Sequence, residues 1–220
     1  MNTMVLQRMQ ALLAQLYDAP VEHRVEDFLV TNRDELERLV GEQAHCGVDE
    51  QVFLVQEEDG LRVGVYIDEA VLERLNRSDP LQRLEDDNLH DYCTALEGVS
   101  HFHYLMWSLA RRRDVSLLEL ELQAEVDKYA SAVALFTRQR NGRYPEGLHT
   151  RLFHAVRYLP ALDEASRQRY EEANRYAARY CRFLEERFMR PRRSRAELWL
   201  AELRRFFRYS HQEKVRRLAV

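Results

Sequence analysis

The chain has 220 residues, 45% of them hydrophobic and 10% aromatic, with only 7 Gly and 5 Pro. That is enough apolar material for a sizeable core, and too few turn-formers for a strand-rich sandwich or a disordered chain. The net charge of -4 hides a split, because residues 1–110 hold 22 acidic against 8 basic side chains, and residues 111–220 hold 15 against 25.

The first predicted element is an amphipathic helix from Met4 to Tyr17, ended by Asp18-Ala19-Pro20. Gln and Arg interrupt its apolar positions, which argues against a secretory leader, and no run approaches the ~18 apolar residues of a membrane span. Three scattered cysteines without a CxxC pair point to a reducing compartment, so the expected location is the cytoplasm. Asp27 to Thr31 is a short strand candidate, and Asn32 caps a helix with Glu35 three residues on. Gln51–Glu57 and Leu61–Asp68 read as a hairpin. In its second strand Leu61, Val63, Val65 and Ile67 alternate with Arg62, Gly64 and Tyr66, and Gly60 takes the positive-φ position of the turn. A helix from Glu69 to Asn76 closes this β-α-β-β element.

Ser78-Asp79-Pro80 marks a subdomain boundary between the N-terminal α/β element, residues 1–77, and a helical bundle domain, residues 78–220, the two expected to form one compact unit. Helical patterns follow at Leu81–Arg112, with a break expected near Gly98, then at Ser116–Arg140, Leu148–Tyr158, Asp163–Arg190, Ser194–Tyr209 and Gln212–Leu218. The expected fold is mainly α: five to six helices in a bundle, with a small element of three short strands packed against it.

Most residues able to do chemistry fall between Glu97 and Tyr129. Glu97 and His101 stand four apart on one helix, and Glu121, Glu125 and Lys128 share a face of the next. Glu97, His101, Glu121 and Glu125 together offer carboxylate and imidazole ligands for a divalent metal, Zn, Fe or Mn, between two antiparallel helices. Without metal, Glu125, His101 and Lys128 suit acid–base catalysis, since paired carboxylates on a buried face push one pKa upward. A structural alternative is a buried network in which His101 and Lys128 neutralise the glutamates. About a turn centred on Arg113, Glu97 and Glu121 are offset by ~12 Å at ~1.5 Å per residue, whereas His101 and Glu125 are equidistant from it.

Of the 33 basic residues only Lys128 and Lys214 are lysine, which suggests a need there for a compact point charge that a guanidinium cannot imitate. The intervals of two, four and two among Glu119, Glu121, Glu125 and Asp127 depart from the Glu-x-x-Glu pairing of all-α nucleotide pyrophosphatases. Gly-rich phosphate loops are absent, which weighs against ATP, GTP and dinucleotide chemistry.

The C-terminal half carries Arg–Tyr pairs suited to single-stranded nucleic acid, but Ala173, Tyr176, Ala177, Tyr180 and Phe183 fall on one helical stripe, which makes those aromatics core. The densest basic stretch, Arg187–Arg195, offers Arg190, Arg192, Arg193 and Arg195 to an anion or a partner. Two functions follow. The leading one is a non-catalytic binding or regulatory protein working through its acidic and basic halves, with a protein partner or a second copy, nucleic acid at the basic half, and no membrane. The alternative is a small metal-dependent or acid–base, hydrolase-like enzyme built on the Glu/His/Lys cluster.

Overall fold

The computed structural model describes residues 3–41, 44, 47–57, 60–154, 156, 163–189 and 196–218. The fold is mainly helical with a small N-terminal sheet, as expected. In order the elements are α1 (Met4–Tyr17), β1 (Leu29–Val30), α2 (Arg33–Val40), β2 (Glu50–Glu57), β3 (Gly60–Ile67), α3 (Glu69–Arg77), α4 (Leu89–Leu109), α5 (Leu117–Gln139), α6 (Leu148–Phe153), α7 (Glu164–Leu184), α8 (Ala196–Arg208) and α9 (His211–Leu218). Among the described residues no helix is long and apolar enough to cross a membrane.

The sheet has the order β1-β3-β2, with β3 antiparallel to β2 and parallel to β1. The strand expected from Asp27 is mostly a 3-10 turn, Val25–Phe28, and only Leu29 and Val30 pair, with Val65 and Tyr66. Both short helices beside the sheet start at side-chain caps: Asn32 accepts from the Glu35 N–H at 3.1 Å and Asp68 from the Ala70 N–H at 2.8 Å. Strand β3 was expected to be buried on one face and is buried on two. Val63, Val65 and Ile67 face the main core, and Tyr66 joins Val30, Leu36 and Phe53 in a second small core under α2. Phe53 stands opposite Gly64, where a Cβ would come within 2.2 Å of its ring, so only glycine fits under that ring.

Helix α4 begins at Leu89, later than the expected Leu81, because polar side chains hold the preceding turn out of helical geometry. Asp79 accepts from the Leu81 N–H at 2.9 Å, and Asn88 accepts from the Glu85 N–H at 2.9 Å while its amide donates to the carbonyls of Ser78 and Arg83. From there α4 runs unbroken through Gly98. It packs antiparallel to α5 and also meets α1, α3, β2 and β3, while α7 packs along α5. Stacked rings tie α8 in: Phe207 on Tyr17 at 4.4 Å and Phe206 on Tyr180 at 3.8 Å. On α7 the buried stripe runs Ala173, Ala177, Tyr180, Cys181 and Leu184, which leaves Phe183 off its axis and 40% exposed.

Candidate metal centre

A glycine in mid-helix opens the centre. A Cβ on Gly98 would stand 3.0 Å from Glu50 Oε2 and 3.1 Å from Val65 Cγ1, so its absence lets the sheet close directly onto α4. That approach brings the first residue of β2, Glu50, into the space where α4, α5 and α7 converge. Glu97 and His101 come from α4, Glu121, Glu125 and Lys128 from α5, and Arg169 from α7.

Lys128 Nζ donates to Glu97 Oε2 at 3.0 Å and to Glu125 Oε1 at 2.7 Å. His101 Nε2 lies 3.4 Å from Glu121 Oε2 without an aligned hydrogen bond, and Arg169 Nε lies 3.9 Å from Glu121 Oε1. One ligand atom each from Glu97, His101 and Glu121 lie within 4.8 Å of one another. The axial offset expected between Glu97 and Glu121 therefore does not keep their carboxylates apart. Ligands held at ~2.0–2.2 Å around a tetrahedral ion are ~3.4 Å apart, so closing this set on a metal takes movement of about 1 Å.

The charges do not balance. Glu50, Glu97, Glu121 and Glu125 face two permanent cations, Lys128 and Arg169. With a neutral imidazole the centre is two negative charges in excess, and bound protons make up the difference. Burial pulls the His101 imidazolium down, but close pairing with the Glu121 carboxylate 3.4 Å away, helped by the charges of Glu50 and Glu97, outweighs it and raises His101 to about 9. Burial, then the Glu97 charge, push the Glu50 carboxyl up to about 8. Burial would raise Glu97 too, but the Lys128 ammonium beside it holds its carboxyl below the ordinary range. At Glu125 burial prevails over the same ammonium and the carboxyl is raised. A divalent cation carries the same two charges as those two protons.

The opposite face of α5 is also polar and is more nearly closed, with Arg113 Nη1 left without a hydrogen bond. Lys214 of α9, fully buried, donates to Tyr104 Oη and to Gln123 Oε1, both at 2.8 Å, and stands 3.7 Å from Glu119 Oε1. Tyr104 and Arg113 donate to Glu119, while Tyr17, Ser100 and Gln123 all donate to Asp127. Ser100 and His103, neighbours of the cluster in sequence, therefore lie away from it. His103 packs beside Phe207 and burial pushes it down to about 4, so it is neutral. Cys93, one turn before Glu97, has a thiol that burial pushes up to about 12. The four arginines Arg190, Arg192, Arg193 and Arg195 lie outside the described residues.

The cluster Glu97, His101, Glu121, Glu125 and Lys128 is thus brought together. Glu50 and Arg169 join it without having been singled out from the sequence. The one signal for Glu50 was Gly98 itself, a glycine inside a helical pattern that marks the close approach of another element. Arg169 was hidden among six similar Arg–Tyr pairs. Comparison with protein-family models, with curated proteins and with solved structures returned no match.

Proposed function

We propose that this protein is a divalent-metal-dependent enzyme of hydrolytic type. Its metal is held by Glu97, His101 and Glu121, with Glu50 as a further carboxylate. One observation supports this most: His101, only 6% exposed, sets its Nε2 3.4 Å from Glu121 without an aligned hydrogen bond, among carboxylates that outnumber their cations. On the far face of α5 the Glu119 and Asp127 carboxylates and the Lys214 amine are all hydrogen-bonded, with Arg113 Nη1 left over; here His101 Nε2, 3.4 Å from Glu121, and Glu50 Oε2 make no hydrogen bond and the charges do not balance. Three oxygen donors to one imidazole suit Mn, Fe or Zn in preference to soft metals. Glu125, raised by burial and hydrogen-bonded by Lys128, is then the general base, and Lys128 keeps it in place and offsets its charge.

The test is elemental analysis of tag-free protein purified without chelator, followed by calorimetric titration with Mn and Zn. Near-stoichiometric metal that vanishes in His101→Ala supports the proposal. A wild-type protein that neither retains nor takes up metal sinks it.

A further inference from the structure

Arg169 is the part of the centre that metal binding leaves unused. Its Nε is buried and makes no hydrogen bond, and the nearby Glu121 Oε1, at 3.9 Å, is too far to accept one. The side chain is nonetheless held in place. Its Nη2 donates to Ser166 Oγ at 3.3 Å, Ser166 Oγ donates to Asp163 Oδ2 at 2.7 Å, and the guanidinium lies 5.4 Å from the Tyr170 ring centroid. An oriented, buried, unmet guanidinium donor is a site waiting for an acceptor.

The exposures agree. Glu97 and Arg169 keep 21% and 20% of their side-chain surface, against 8% for His101 and 10% for Glu121, so these two lie nearer the protein surface than the others. Lys128 is committed to two carboxylates, whereas Arg169, 3.9 Å from Glu121, keeps an Nε–H that no hydrogen bond occupies.

We infer that Arg169 is the anion-binding residue of the centre, and that the substrate class is a phosphoryl compound whose oxygens bridge the Arg169 Nε–H and a cation held by Glu97, His101 and Glu121. This rests on the metal-centre proposal. Phosphoryl is favoured because a cation in a mainly carboxylate shell and a guanidinium are the two partners that bind its oxygens best. Its several oxygens can span the two where one carbonyl could not.

The experiment uses the full chain, Mn and inorganic phosphate. Phosphate binding is followed by calorimetry and by broadening of the phosphorus resonance in the Mn-loaded protein, with wild type, Arg169→Met and Arg169→Lys compared. The expected result is that Arg169→Met weakens phosphate about tenfold or more, the loss of one charge-assisted hydrogen bond. Mn affinity should hold or rise, since a cation has left the ligand Glu121, and Arg169→Lys should recover only part of the phosphate affinity. Equal phosphate binding by Arg169→Met overturns the role of Arg169 and leaves the metal centre standing. Equal binding with and without Mn overturns the bridge, and acetate competing as well as phosphate overturns the phosphoryl class. If wild type takes up no Mn, the metal proposal falls and this one with it.

Discussion

Helix α5 turns two polar faces into the interior, and the two are finished differently. Along Glu119, Gln123 and Asp127 the acceptors meet donors from Lys214, Tyr104, Tyr17, Ser100 and Arg113. Along Glu121, Glu125 and Lys128 the carboxylates exceed the cations, and three nearby polar atoms, on Glu50, His101 and Arg169, have no hydrogen bond. Burial of charge is common to both. The closed face leaves Arg113 Nη1 without a hydrogen bond but balances its charges, whereas the open face adds an excess of negative charge to its three unmet atoms, and uncompensated buried charge costs more than a lost hydrogen bond.

The comparison breaks most visibly at Lys214. Lys214→Ala removes the amine at the centre of the closed face, whose pKa burial lowers to about 7, and leaves its acceptors short of a donor. Two buried acceptors left short of a donor should cost about 2–4 kcal/mol and lower the unfolding midpoint by about 10 °C for a chain of this size, with Mn affinity unchanged in calorimetry. A midpoint shift of a degree or two would mean the closed face is not the scaffold. Glu121→Gln should do the reverse. Metal affinity should fall about a hundredfold, the upper end of what even supporting residues cause, while the metal-free protein keeps its stability within about 1 kcal/mol. Loss of folding on that substitution would make the open face structural as well.

The pH dependence sharpens the contrast without disturbing the fold. The Glu50 carboxyl rises from an ordinary 4.5 to about 8 in the folded state, so its contribution is complete below pH 4.5 and is lost as pH rises through 8. Glu50→Gln has no such loss. Metal-free Glu50→Gln should therefore gain on wild type in chemical denaturation as pH goes from 5 to 8, and a constant difference would contradict the raised carboxyl. His101, raised to about 9 from 6.5, adds a loss of the same sign between those values. Metal displaces both protons, so affinity should climb with pH over the same range. The smallest effect belongs to Gly98→Ala. The helix gains roughly 1 kcal/mol of propensity, but the new Cβ crowds Glu50 Oε2 at 3.0 Å. Stability should stay nearly level while Mn binding weakens several-fold, and unchanged binding would remove Glu50 from the centre.

Much of the site was legible because most of it is local. Glu97 and His101, and Glu121, Glu125 and Lys128, are fixed to common faces by helical periodicity alone, and one antiparallel turn joins the faces. Glu50 and Arg169 arrive from a strand and from a distant helix, and no period links them to the rest. Their placement depends on how the sheet and α7 dock, which only packing decides. The helices were legible for the same local reason. Where they start was not, since Asn88 takes its partners from Ser78, Arg83 and Glu85 and holds the chain out of helix for eight residues beyond the apolar pattern. Strand β3 showed its main-core face in its alternation, but not the second small core that covers Tyr66.

Both lysines ended up inside. Lys214 has no exposed surface, and Lys128 keeps 13% of its side chain at the rim of the carboxylates. With 31 arginines elsewhere, the folded surface carries its positive charge almost wholly as guanidinium. An amine-acylating reagent consequently finds its side-chain targets hidden until the helices part. The rate at which Lys214 is acylated becomes a direct clock for opening of the closed face, and protection of Lys128 by added Mn an independent gauge of occupancy at the open one.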